Sequence, residues 1–81
     1  MTDCRLWNEP VLIVIGTTKH PVRSTGEAAW LLADRWPVVT GKAFIRALKA
    51  CAAAIDGKRS TAFARLALIA AARDAGLVVE A

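Results

Sequence analysis

This chain is short of most residues from which a chemical site is built. It has 81 residues with one histidine, His20, and two cysteines, Cys4 and Cys51. There is no C-x-x-C and no H-x-x-x-H, and three Cys or His side chains cannot supply the four ligands of a structural zinc site. No metal and no cofactor is expected. Two cysteines in an ordinary small chain do not make a disulfide framework, so the thiols are read as reduced and the protein as cytoplasmic. Tyrosine and glutamine are absent, and Asn8 is the only asparagine. Groove readers of DNA lean on Arg, Asn and Gln forks, so sequence-specific nucleic-acid recognition is not expected. Long apolar runs are missing too. The longest uncharged run, residues 10–18, would reach about 14 Å as a helix, half a bilayer core. With Asp3 and Glu9 flanking the only early apolar stretch, neither a membrane span nor a secretory signal is predicted.

What the chain has is alanine. Seventeen of its residues are alanine, so the 56% hydrophobic fraction overstates the core and chiefly signals helix. The length suits a single domain over residues 1–81.

Residues 1–9 read as an irregular lead-in anchored by Trp7. Val11-Leu12-Ile13-Val14-Ile15 is a continuous β-branched and aliphatic run, the pattern of a strand covered on both faces. Gly16-Thr17-Thr18-Lys19 is turn material. A second strand over His20–Arg23 belongs at an edge, because Pro21 lacks the amide that a central strand donates. Ser24 and Glu27 have the spacing of a capping box, opening a helix from Thr25 to Trp36 with Ala29, Leu32, Ala33 and Trp36 as its apolar stripe. Pro37 ends it.

Thr40 is the expected cap of a second helix over Gly41–Asp56. Phe44, Leu48, Cys51, Ala52 and Ile55 recur at helical spacing, and Lys42, Arg46 and Lys49 lie opposite. Gly57 suits a left-handed terminus. Ser60 caps a third helix over Thr61–Ala75, closed by Gly76, and Leu77-Val78-Val79 reads as a last strand. The order is ββαααβ. That is an α+β domain in which three helices cover a small sheet, with the first strand central.

The third helix is apolar nearly all round. Phe63, Leu66, Ala67 and Ala70 form one face, while Leu68 and Ile69 lie on either side of Arg65. Either this helix is central, or its Leu68–Ile69 flank meets another chain.

No catalytic constellation emerges. His20 precedes a proline with no partner in view. Cys51 shares an apolar stripe, where a thiol is a small hydrophobe and not a nucleophile. Glu27 and Asp34, seven residues apart, suit a helix cap and a solvated face. Gly57-Lys58-Arg59-Ser60-Thr61 imitates the tail of a P-loop, but Ala52 stands where the first glycine belongs, Arg59 follows the lysine, and a helix precedes it. Trp30 and Trp7 read as packing residues, with binding anchors as the alternative.

Charge is concentrated. Residues 41–65 hold six bases (Lys42, Arg46, Lys49, Lys58, Arg59 and Arg65) against Asp56, a net +5, and with −1 over residues 66–81 this accounts for the +4 of the whole chain. Residues 1–40 balance, with four charges of each sign. Such a hairpin can attract phosphates or acidic proteins.

Pro10-Val11, Gly16, Val22, Ser24, Glu27-Ala28, Leu31-Leu32, Trp36-Pro37, Gly41, Ala43, Cys51, Gly57, Ala64-Arg65, Ala70-Ala71 and Ala75-Gly76 together resemble a small bacterial family, the domain of unknown function 982. The likeness runs from about Trp7 to Val79. It departs at Arg73, a base near where an acid is expected. It implies the fold and a cytoplasmic setting, and it brings no activity or site residue with it.

The function expected from the residues is a small non-enzymatic interaction module. It would bind a protein partner, or itself as a homodimer, through Leu68 and Ile69. The alternative is weak, sequence-non-specific binding of nucleic acid or another anion by Lys42, Arg46, Lys49, Lys58 and Arg59.

Overall fold

The computed structural model describes residues 6–37 and 39–80. The elements are β1 (Val11–Ile15), β2 (Thr18–Val22), α1 (Thr25–Asp34), α2 (Lys42–Ile55), α3 (Thr61–Asp74) and β3 (Val78–Glu80). The order is the expected ββαααβ, an α+β fold. The strands form one antiparallel sheet in the order β2-β1-β3, with β1 central and Pro21 on an edge strand.

The hairpin is tighter than the sequence suggests. Only Gly16 and Thr17 form the turn, and Thr18 already pairs with Ile15. Gly16 has φ +62°, while among the described residues no non-glycine residue has positive φ. That is the pattern of a type II′ turn, whose twist matches the strands it joins. A two-residue turn is closed by a hydrogen-bonded pair. Alternation along the ladder then leaves Pro21, opposite Leu12, at a non-bonded position where its missing amide costs nothing.

The helices lie against one face of the sheet. Val11 and Ile13 on β1 and Val22 on β2 are buried, and Val79 on β3 packs against the same core. Leu12 and Val14, pointing the other way, are only half-buried and stand outside that core. Among the described residues the double coverage expected for β1 is therefore absent: the helices pack on one face only. α1 contacts β2, and α3 contacts β1 and β3. α2 packs on α1 and α3 and stays away from the sheet, forming the outermost layer.

The lead-in is tied down as expected. Trp7 is buried, its backbone N–H donates to the Arg23 carbonyl at 2.6 Å, and its indole Nε1 donates to Thr25 Oγ1 at 3.1 Å. Ser24 caps α1, accepting from the Glu27 N–H at 3.2 Å. Glu27 reaches back one residue further than a capping box requires, accepting from the Arg23 N–H at 2.6 Å. α1 ends at Asp34, and its buried stripe is Ala28, Leu31 and Leu32, leaving Ala33 exposed. Trp36 is buried from beyond the helix end.

Two expectations for α2 are corrected. Gly41, not Thr40, holds the N-cap position, so no side chain accepts a first-turn amide. The buried residues are Phe44, Ala47, Ala50, Cys51 and Ala54, while Leu48 and Ile55 are half-buried and Ala52 is exposed. The helix is turned toward its alanines because those small side chains let a neighbouring helix come close. Ser60 caps α3 as expected, accepting from the Phe63 N–H at 3.1 Å.

Candidate functional site

α3 reverses the expectation placed on it. Leu68 is 0% and Ile69 is 7% exposed, so both belong to the core and neither offers a surface to a partner. Of the face that carries Phe63, Leu66, Ala67 and Ala70, only Ala67 is half-buried against the core; Leu66 is 62% and Phe63 44% exposed, and Ala70 is exposed as well. The reason lies at Arg65. Leu68 and Ile69 flank this residue, and its Nε donates to the Glu9 carbonyl at 2.8 Å, because the lead-in runs along this flank. With that side covered, α3 buries Ala64, Leu68, Ile69, Ala71 and Ala72 and presents Phe63, Leu66 and Ala70 outward.

Spacing supports a continuous strip. Phe63, Leu66, Ala70 and Arg73 follow one another at intervals of three and four residues, so they line one side of the helix. Arg73 is exposed, which was the sequence signal for this orientation. Arg59, in the turn before α3, lays its guanidinium over the Phe63 ring at 5.2 Å. Beside the strip a cleft of about 230 Å³ separates the lead-in from α3, with Trp7, Glu9, Ala62, Arg65 and Leu66 among its walls.

The basic residues divide into two groups. Lys42, Arg46 and Lys49 are exposed together on the outer side of α2, as expected from their spacing. Lys58 and Arg59 sit past the other end of that helix. There Gly57, at φ +80°, turns the chain so that the Lys58 N–H donates to the Ala53 carbonyl at 2.8 Å. A helix of α2's length is about 20 Å long, so Lys42 and Lys58 are far apart.

The other candidates are accounted for structurally. Cys51 is fully buried, and burial pushes its thiol up to about 11, the opposite of what a nucleophile requires. Cys4 lies outside the described residues. Glu27 is engaged by the Arg23 amide, and Asp34 pairs with Arg35 at 3.3 Å. His20 is half-buried, at the edge of a shallow cleft beside Trp30. Trp30 is 54% exposed, with the Arg35 guanidinium 5.8 Å from its ring centroid. Among the described residues no group of three or more Cys, His, Asp or Glu side chains is placed to hold a metal, and no helix is long and apolar enough to cross a membrane.

Three antiparallel strands backed on one face by three helices, with an apolar strip and a basic stripe on the helical side, define a small α+β domain. The chain belongs to a family described as protein of unknown function (DUF982), whose family model matches residues 9–79, almost the whole length. No curated protein and no solved structure matches it.

Proposed function

We propose that this protein is a non-enzymatic interaction module whose α3 strip receives an amphipathic, acidic helix of another protein. The observation that carries this reading is the exposure of Phe63 and Leu66 in line with Ala70 on a helical hairpin of net charge +5. Exposed leucine and phenylalanine in contact with water cost free energy that a partner's apolar side chains would recover. Ala70 leaves room for a larger residue opposite it. The rim carries Arg59, Arg65 and Arg73 against Glu9 and Asp74, so an acidic partner gains where a second copy of α3 would meet its own charge. The small groove-sized contact fits helix-in-groove recognition.

The test uses two synthetic helices with leucine at i, i+4 and i+7, one flanked by glutamate and one by lysine. Tryptophan fluorescence should report binding of the glutamate version, weakening as salt rises. Leu66→Lys should reduce that binding about tenfold or more, as loss of a central contact does. Equal binding of the lysine version, or an unaltered Leu66→Lys, overturns the proposal.

The alternative, weak contact with nucleic-acid phosphates, is supported by one observation: Lys42, Arg46 and Lys49 share an exposed stripe on the outermost helix. Lys58 and Arg59 stand a helix length away, so the five bases do not form one patch. Titration with duplex and single-stranded DNA at low salt tests it. Binding by that stripe requires loss of affinity in Lys42→Ala/Arg46→Ala/Lys49→Ala and a smaller salt slope.

A further inference from the structure

The outer face of the sheet carries a second, independent argument. β1 is apolar on both sides, yet the helices cover only the side of Val11 and Ile13. The pairing register fixes what lies on the other side. Leu12 stands between Pro21 and Glu80, and Val14 between Lys19 and Val78. The centre of this face is therefore Leu12, Val14 and Val78, the last 58% exposed. Its two edges carry opposite charges, Lys19 on β2 and Glu80 on β3.

A sheet open to water normally alternates apolar and polar residues. β1 does not, so its composition suits a strand covered on both sides, and among the described residues the helices supply one cover. We propose that the second cover is another copy of this chain, with the two outer sheet faces packed against each other. The edge charges select this occupant and its arrangement. When the two-fold axis runs parallel to β1 between the sheets, β2 of each copy lies over β3 of the other. Lys19 then faces the strand that carries Glu80, at both edges of the interface. The residues differ in level by two positions, about 7 Å along a strand, which a lysine side chain can span. A two-fold axis across the strands would instead stack β2 on β2 and bring the two Lys19 residues to the same edge. Pro21 and Lys19 also blunt the β2 edge against strand addition, so the face and not the edge is the surface offered. α3 lies on the far side of the sheet, and its strip stays open to the partner proposed above.

Three short strands give a small contact, below the roughly 1,200 Å² of standard interfaces, so the dimer is weak and concentration-dependent. Sedimentation equilibrium of the full chain from micromolar to millimolar concentration tests this. The mass should rise from 8.6 kDa toward twice that value. Val14→Glu should remain monomeric throughout. Lys19→Glu and Glu80→Lys should each weaken the dimer by roughly threefold or more, the scale of exposed charge pairs. The double exchange Lys19→Glu/Glu80→Lys should restore it, a result that general destabilisation cannot give. Leu66→Lys should leave it unchanged. A monomer at all concentrations overturns the proposal, as does a dimer that survives Val14→Glu or is lost in Leu66→Lys.

Discussion

α2 and α3 are matched in length at 14 residues, and each contains six alanines. Their orientations were not equally readable. On α2, Lys42, Arg46 and Lys49 occupy one side, and three charges that cannot be buried without partners settle which way the helix faces. On α3 a single charge, Arg65, interrupts the helix before its last turn, and it faces the lead-in. Its head is held by the Glu9 backbone carbonyl. One charged residue is thus a poor compass. It fixes only the direction of its own head, and any nearby carbonyl can receive that head.

The sharpest way to break this contrast lies within α3. Leu68→Ala removes a side chain with no exposure and should destabilise the fold by about 2–5 kcal/mol, the usual cost of a large-to-small core change. Leu66→Ala, two residues away, should stay within about 0.5 kcal/mol, as exposed substitutions do. Chemical denaturation of both variants measures the difference. Equal losses would mean that Leu66 is as deeply packed as Leu68, and the proposed strip would disappear with it.

The same contrast explains how much of this molecule was legible beforehand. Element order, the central place of β1, the edge position of Pro21 and the caps at Ser24 and Ser60 all follow from local chemistry: φ restriction, missing amides and hydroxyl acceptors. Helix rotation is not local. Ala47, Ala50 and Ala54 are buried where Leu48 and Ile55 are only half-buried, because the neighbouring helix favours small residues at close range. Hydrophobicity alone ranks those positions the other way. The candidate strip was missed for the same reason, since a helix apolar all round hides its orientation until its neighbours are known. The uncovered sheet face was missed because a strand's composition shows how much cover it suits and not how much the fold supplies.

Cys51 on α2 allows the buried side to be probed by pH. Burial raises its thiol to about 11 from an ordinary value of 9.0. The protonated form is the one the folded state holds, so stability is full below about 9. It should fall as pH rises, because the unfolded chain ionises first, and level off once the folded thiol also ionises near 11. A two-unit shift corresponds to about 2–3 kcal/mol. Comparing urea midpoints at pH 8 and pH 10.5 for the parent and Cys51→Ala isolates the thiol. A parallel decline in both would place the cause elsewhere.

The lead-in that captures Arg65 has an anchor of its own. Trp7→Phe keeps an aromatic ring but removes the Nε1 donor, leaving the fully buried Thr25 hydroxyl without that partner. The cost should be about 1–3 kcal/mol. Thr25→Val added to Trp7→Phe should recover part of it, since two apolar groups then meet. If Trp7→Phe is silent, the lead-in does not hold its place through this bond, and the explanation for Arg65 weakens.

The smallest effect sharpens the account of α2. A fully buried Leu48 would lose 2–5 kcal/mol on truncation to alanine, but this side chain is half-buried and packs against the core from one side. Leu48→Ala should therefore cost about 1 kcal/mol, roughly the transfer free energy of the area it hides. Arg46→Ala, on the solvated side, should cost still less. The informative result is the ratio of the two to Leu68→Ala. If Leu48→Ala approaches the α3 core value, α2 is rotated toward its leucine, and the alanine-lined contact with α3 cannot be what sets the orientation of either helix.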